Sequence, residues 1–382
     1  MDHAGRLSRL RSALEENHLD SLLVTHLPNI RYLCGFTGSA GALLVADRGC
    51  ILFTDGRYRT QAKKEVDGAN INHASIVIAR KAPLLAAADW LVTHKRSSTP
   101  ASLPRVSIGI EPESITAGMR DRVASVLKGR MTGRSRVTMK ARLRSAPPLI
   151  ERARMVKDVA EILLIRQAVE LGASLFPIAR KKIRPGVSEA EVAGAMEYQA
   201  RQAGAEGMSF PTILAAGTRS AIVHGRASSA RIPRRGFVVC DFGVILAGYC
   251  SDRTRTVHVG RPSAEARQLY ETVLEAQQAA IAAVRPGVTV AEIDVAARRV
   301  LRNRKLARYF THSTGHGLGL EIHEAPRLAA GQTQKLEPGM VITIEPGAYI
   351  PGECGVRIED VVVVTPSGCE VLTPTDKELI II

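Results

Sequence analysis

The chain has 382 residues, 45% of them hydrophobic and 23% charged, a globular balance that excludes an intrinsically disordered chain and leaves room for two domains with cores of their own. Six cysteines (Cys34, Cys50, Cys240, Cys250, Cys354, Cys369) stand far apart without a C-x-x-C pair, which excludes a disulfide scaffold and fits free thiols in a reducing cytoplasm. The formal net charge of +15 keeps nucleic acid open as a rival partner class, because clustered Lys and Arg gain affinity by releasing counterions from phosphate.

The first residues, Met1-Asp2-His3-Ala4-Gly5-Arg6-Leu7, show no charged segment followed by a long apolar core, and no later stretch approaches bilayer-spanning length. A cytoplasmic protein with no membrane contact is expected. Leu7, Leu10, Leu14 and Leu19 at helical spacing predict a helix over residues 5–20, and Ser21-Leu22-Leu23-Val24-Thr25 predicts a strand. Strand-like runs at 42–45, 50–53 and 76–78 then alternate with helical stretches such as 84–92, the pattern of an α/β domain. Between Lys128 and Lys157, ten Lys or Arg residues accompany one acid, Glu151, and Pro147-Pro148 interrupts packed structure. The domain boundary is placed here, giving domains 1–149 and 150–382. The basic run reads as a solvated linker and helix face, since no aromatic interleaves with it to stack on bases.

Beyond the boundary, Asp158 followed by Glu161 predicts a capping box that opens a helix through about residue 171. A repeat then appears: Arg184-Pro185-Gly186-Val187-Ser188-x-x-Glu191 recurs 101 residues later as Arg285-Pro286-Gly287-Val288-Thr289-x-x-Glu292, each copy capping a helix. The repeat extends to polar residues. His224 is matched by His323, and the pair Asp241 and Asp252 by the pair Glu345 and Glu359.

Asp241 ends the apolar run 237–241 and Asp252 lies in the run 249–259, so a hairpin closing about Leu246-Ala247 sets them opposite one another. Glu345 ends the run 340–344 and Glu359 lies in the strand 356–364 beyond the turn at Pro351-Gly352, a second carboxylate hairpin. Four carboxylates in apolar strands repel and carry a large desolvation cost unless protonated or matched by cations. Two divalent ions would balance them. Oxygen donors with one imidazole suit Mn²⁺, Co²⁺ or Zn²⁺, and shared carboxylates hold such ions about 3.5–4 Å apart, an arrangement suited to hydrolysis. His316 lies in Gly315-His316-Gly317-Leu318-Gly319, where glycines let the backbone pass close to a site, and it has no counterpart in the first copy, so it is the single nitrogen ligand expected. The glycine spacing fits neither phosphate-loop nor dinucleotide patterns. Arg357, two residues before Glu359 on the same strand face, can orient a carboxylate or steady a substrate, and Tyr349, shortly beyond Glu345-Pro346, lines the pocket or packs beside it.

These motifs resemble the pita-bread metallopeptidases, in the proline-specific branch that contains aminopeptidase P and prolidase. The resemblance is carried by His224-Gly225, Asp241-Phe242-Gly243, Tyr249-x-Ser251-Asp252-x-Thr254-Arg255-Thr256, the run 312–324, Ile344-Glu345-Pro346-Gly347 and Val356-Arg357-Ile358-Glu359-Asp360. In the first half, 29–39 and Phe53-Thr54-Asp55-Gly56-Arg57-Tyr58 resemble the creatinase-like domain of the same branch. One departure is Val223 before His224, where the family often has proline.

The resemblance implies a creatinase-like α/β domain followed by a pita-bread domain with an internal pseudo-two-fold repeat. It implies two divalent ions, Mn²⁺ first among the candidates, with Asp252 and Glu359 bridging, Asp241 completing one shell, and His316 with Glu345 the other. It implies cleavage of the bond before proline in proline-containing peptides, with Glu345 accepting a proton, His224 and His323 stabilising the intermediate and His312 touching substrate. An Xaa-Pro aminopeptidase is the expected activity, because 35–39 and 53–58 look more like aminopeptidase P. Xaa-Pro dipeptidase (prolidase) is the alternative, and a silent nucleic-acid- or protein-binding homologue is the rival. A homodimer or homotetramer is the implied assembly.

Overall fold

A computed structural model describes the chain apart from Arg48, residues 95–105, Gly129, residues 133–134, residues 138–140 and Thr375, with the backbone alone at 130–132 and 135–137. The chain divides into two compact units, Met1–Arg154 and Met155–Ile382. The division falls at the end of the helix Leu149–Met155 that follows Pro147-Pro148, not at the prolines themselves, where the sequence had placed it at 149/150.

In the first unit, helices α1 (His3–Glu16), α2 (Leu27–Cys34), α3 (Arg59–Gly68), α4 (Pro83–His94), α5 (Ala117–Leu127) and α6 (Leu149–Met155) accompany strands β1 (Ser21–Val24), β2 (Gly41–Ala46), β3 (Gly49–Asp55), β4 (Ala74–Ala79), β5 (Val106–Ile110), β6 (Arg130–Thr132), β7 (Ser135–Val137) and β8 (Ala141–Ser145). Six strands form one mixed sheet in the order β4-β3-β2-β1-β5-β8. β1 is central and buried along its whole length, as its unbroken apolar run requires, and Leu23 packs with Leu84, Ala87 and Leu91 of α4 and Val123 of α5. α1 stops at Glu16, short of the predicted end, because the Asn17 side chain bonds Ala13 O at 2.7 Å and His18 turns left-handed (φ 54°). Leu19 is buried outside the helix.

The basic run is corrected by the structure. β8 joins the sheet parallel to β5, Arg144 donates to His18 O at 3.2 Å, and buried Arg154 donates to Asn29 Oδ1 at 2.7 Å. A solvated linker is not what these residues form; the remaining part of the run, at 129, 133–134 and 138–140, lies outside the described residues.

The second unit is built twice over. Helices α7 (Val159–Lys182) and α8 (Glu189–Gln202) precede strands β9 (Gly207–Met208), β10 (Ile213–Ala216), β11 (Gly236–Asp241), β12 (Val244–Leu246), β13 (Tyr249–Cys250) and β14 (Thr254–Val259). Helices α9 (Ala264–Ala283) and α10 (Val290–Asn303) precede β15 (Gly315–Gly317), β16 (Glu324–Leu328), β17 (Val341–Ile344), β18 (Gly347–Ile350), β19 (Cys354–Arg357), β20 (Asp360–Val364) and β21 (Cys369–Val371). α7 opens with the predicted capping box but runs well past residue 171, through Pro177, because Leu175, Phe176 and Ala179 continue its buried stripe. With 24 residues it is also long and apolar enough to span a bilayer, which corrects the expectation that no such stretch exists; here its apolar face packs into the core through Ile165, Val169 and Leu175.

The repeat is visible at the level of single bonds. Gly186 (φ 84°) donates to Ile232 O and Gly287 (φ 83°) to Leu336 O, at 2.9 and 2.8 Å, and this left-handed turn feeds the capping boxes Ser188/Glu191 and Thr289/Glu292. Since the two caps are equivalent, Ser188→Ala and Thr289→Ala are each expected to cost about 1 kcal/mol of stability in urea unfolding. Costs that differ severalfold would contradict equivalent helix starts.

Candidate metal centre

Each copy presents its carboxylates by the same backbone device. β11 pairs with β14 as far as Asp241↔Thr254, the two chains part, and they pair again as β12 and β13 (Ile245↔Cys250) before turning at Ala247 (φ 48°) and Gly248 (φ 81°). Asp252 sits in the gap between the two ladders, which Phe242 N–H to Arg253 O (3.0 Å) and Ser251 N–H to Val244 O (2.8 Å) hold together. A Cβ at Gly243 would lie 1.8 Å from Ser251 O, so only glycine lets the chains pass there. In the second copy β17 pairs with β20 (Ile344↔Asp360), β18 with β19 (Gly347↔Arg357), and Glu345 and Glu359 occupy the gap. The two expected hairpins therefore form, but Asp252 and Glu359 lie at strand breaks, not within continuous strands.

His316 is carried on β15, between β16 and β17. Its Nδ1–H donates to Gly317 O at 2.9 Å, which fixes the tautomer and leaves the Nε2 lone pair facing Asp252 Oδ2 at 3.6 Å and Glu345 Oε1 at 3.4 Å. Ligand atoms of Asp252, His316 and Glu359 all lie within 4.8 Å of one another. Asp241 joins them through Oδ2, which accepts from the Arg357 guanidinium. All five expected ligands thus line one cavity of about 540 Å³, together with His224, His312, His323 and Arg357.

Buried polar atoms are ordinarily partnered, yet Asp241 Oδ1, Asp252 Oδ1 and Glu359 Oε1 are buried and find no hydrogen-bond donor among the described residues. Three unmatched carboxylate oxygens in a cavity that also holds the His316 lone pair make a hard donor set with a nitrogen, which fits divalent transition-metal ions.

The electrostatics point the same way. Desolvation first, then the neighbouring acids, push the carboxyls of Asp252 and Glu359 well above the usual carboxylate range, and desolvation raises Glu345 to about 7 even though Arg357 opposes it. Burial lowers His316, and burial together with His316 and His224 lowers His323, so both rings favour the neutral form. Desolvation alone would pull Arg357 down, but Tyr349, Asp241 and Glu345 hold it well above the usual arginine value.

Of the further polar residues, Arg357 keeps the orienting role expected of it. It spends donors on the protein: Nε to Thr254 Oγ1 (3.1 Å), Nη1 to Val223 O (3.0 Å) and Tyr349 Oη (2.7 Å), Nη2 to Asp241. It holds the Asp241 carboxylate from the cavity wall. The valine that replaces proline at 223 keeps the carbonyl this contact needs. Tyr349 is absent from the cavity wall; its hydroxyl accepts from Arg357 and donates to His312 Nε2 at 2.9 Å. His312 Nδ1–H donates to Ser313 O at 2.8 Å, so both ring nitrogens are occupied, burial and Arg357 pull its pKa down to about 3, and it offers the cavity only an apolar ring. Residues given no role from the sequence complete the site. Thr254 Oγ1 donates to Glu359 Oε2 at 2.8 Å, Phe210, Pro211, Ile213 and Val223 form an apolar wall, and Arg226, Arg327 and Glu324 add charge. Only the β-strand threonine beside Asp252 carried a usable signal.

Paired carboxylates around one imidazole lone pair, with further imidazoles on the cavity wall, define a metal-dependent hydrolase. Residues 164–366 match metallopeptidase family M24 and residues 6–156 match the Creatinase/Prolidase N-terminal domain. The chain belongs to metallopeptidase family M24 and has its pita-bread fold. It is 34% identical over 377 residues to a Pyrococcus horikoshii Xaa-Pro dipeptidase, covering 98% of both chains. It also matches the structure of a Bacillus anthracis Xaa-Pro dipeptidase (TM-score 0.90, 37% identity, 100% of both chains) and of a Thermotoga maritima X-Pro aminopeptidase (TM-score 0.85, 32% identity, 99% of this chain and 100% of that one).

The raised carboxyls make metal affinity pH-dependent. A carboxyl held protonated to about 7 in the fold but titrating near 4.5 when unfolded weakens the metal-free fold as pH rises through that window, and ligation must expel the proton. Mn²⁺ affinity of chelator-treated protein, measured by calorimetry, is therefore expected to rise about tenfold per pH unit for each proton released between about pH 6 and 7. A flat profile would contradict the assigned ligands.

Proposed function

We propose that the chain is an Xaa-Pro dipeptidase dependent on two divalent ions, Mn²⁺ first among the candidates, held by Asp241, Asp252, His316, Glu345 and Glu359. The observation that favours a dipeptide is on the cavity wall: Arg226 and Arg327 both face it, and among the described residues neither makes an ion pair. A dipeptide brings a free carboxylate one residue beyond the scissile bond, which a guanidinium recognises well. The full-length likeness to enzymes described as Xaa-Pro dipeptidases supports the same choice over the aminopeptidase reading drawn from the N-terminal motifs. The likeness to an X-Pro aminopeptidase keeps that as the second reading.

Bound in this donor set, divalent ions would polarise the carbonyl before proline and lower the pKa of the attacking water. The protein supplies the rest. Glu345, with its carboxyl near 7, is matched to taking the water proton at Oε1 and passing it on to the leaving proline nitrogen. His323 and His224 stand at the cavity wall as donors to the oxygen that gains charge. The proline ring, whose nitrogen carries no hydrogen and asks for no acceptor, rests against Phe210, Pro211 and Ile213. Arg357 and Thr254 hold the Asp241 and Glu359 carboxylates in place. Six free thiols support a reducing cytoplasm as its location, and a homodimer or homotetramer belongs to the same proposal.

Hydrolysis of Ala-Pro and Ala-Pro-Gly is the test, after chelation and restoration of Mn²⁺, Co²⁺ or Zn²⁺. The dipeptide is expected to have the higher kcat/KM. A tripeptide preference would establish the aminopeptidase reading instead, and no cleavage of either under any metal would end both. Glu345→Ala should lower kcat by about 10²- to 10⁴-fold with the fold retained. Arg327→Ala should raise KM for the dipeptide about tenfold, the loss of a charge-assisted bond, and leave the tripeptide unaffected.

A further inference from the structure

Lys157 lies at neither the cavity wall nor the ligand set, yet its side chain is only 1% exposed and its Nζ sits 3.2 Å from Glu324 Oε2, whose side chain is 7% exposed. A lysine ammonium at that depth is costly unless matched. It is also fixed from its own backbone: Lys157 N–H donates to Gly339 O at 3.0 Å, Val156 bridges Met340, and Asp158 caps α7 directly after it.

Glu324, which does line the cavity, organises the loop before it. Its Oε1 accepts from Glu321 N at 3.1 Å, Glu321 O accepts from Gly319 N at 3.0 Å, and Gly319 O accepts from Cys250 N at 2.7 Å. A Cβ on Gly319 would stand 2.8 Å from Glu324 Oε1, so the carboxylate lies directly against a glycine that no other residue could replace without displacing it. The loop wound on this carboxylate has the ligand His316 at one end and His323 at the other, their rings 4.4 Å apart and nearly perpendicular.

We infer that Lys157 is a positioning residue for the reaction: its ion pair with Glu324 clamps the 317–323 loop and so holds His323 beside His316. This rests on the peptidase reading for the role of His323, while the clamp itself concerns geometry alone. The ion pair is buried and short, the carboxylate is shared with the loop backbone, and the ammonium has a rigid base on α7 and Gly339, so loop position is tied to the core and not to solvent-exposed contacts.

Three variants test it: Glu324→Gln, Lys157→Met and the two combined. Glu324→Gln keeps the volume and the acceptor for Glu321 N but offers Lys157 only a neutral partner, and Lys157→Met/Glu324→Gln then removes the unmatched ammonium. Each is expected to bind Mn²⁺ at the wild-type stoichiometry and to lose about 10- to 100-fold in kcat/KM for Ala-Pro, mostly in kcat, at temperatures set equally far below each variant's Tm. The double variant should lose less than the product of the Glu324→Gln and Lys157→Met losses, as two ends of one contact do. A Glu324→Gln protein with kcat/KM within twofold of wild type overturns the clamp, as does a loss that disappears once Tm is matched. Should the wild type cleave no Xaa-Pro peptide, the proposed function fails on its own. The clamp is then judged by the ring-proton NMR signals of His323, which must shift in Glu324→Gln while those of His258, on β14, stay in place; an unmoved His323 overturns it.

Discussion

Four carboxylates converge in one cavity, and among the described residues a single guanidinium, that of Arg357, pairs with any of them; much of the second unit answers to that imbalance. Asp241, Asp252, Glu345 and Glu359 cannot all be ionised so close together in a largely dry site. Arg357 offsets one charge by pairing with Asp241, and desolvation raises the carboxyls of Asp252, Glu345 and Glu359 above the usual carboxylate range. The remaining deficit, together with three buried oxygens that find no donor, is what divalent cations would fill. A fold that stabilised itself by neutralising these acids internally would have no use for metal.

The geometry is held by contacts made behind the cavity wall. One guanidinium, that of Arg357, reaches Asp241, Thr254, Tyr349 and the Val223 carbonyl, and thereby ties both copies of the repeat together. Through Tyr349 it also fixes His312, and through Thr254 it stands one bond from Glu359. His316 is oriented by the carbonyl of its own neighbour Gly317. The ligands are thus preset, so little reorganisation accompanies binding.

The four cavity acids were legible in the sequence because duplication marks them, recurring at matching places in apolar strands where a chance carboxylate would be expensive; His316, without a counterpart in the first copy, was marked by the glycines around it. The capping boxes at Ser188 and Thr289 were legible because they are local. Less local features were not. That Tyr349 and His312 bond to one another depends on a contact across 37 positions with no pattern in the sequence to announce it. The basic stretch before residue 157 looked like a linker because charge composition ignores β pairing, and β8 is held in the sheet by backbone bonds to β5 that any side chains would permit. α7 outran its predicted end at about residue 171 because the buried stripe of Leu175, Phe176 and Ala179 carries the helix on, even through Pro177. The proposed preference for a dipeptide rests on Arg226 and Arg327, two arginines among many in a chain of net charge +15, and only their place on the cavity wall sets them apart.

The most direct measurement is anomalous diffraction at the manganese edge from crystals of the protein equilibrated with Mn²⁺. The expected result is anomalous density among the carboxylates of Asp252 and Glu359 and the Nε2 of His316, lost in a crystal of Asp252→Asn/Glu359→Gln. Density elsewhere on the chain, or none at saturating Mn²⁺, would contradict a metal centre built from the two duplicated carboxylate hairpins.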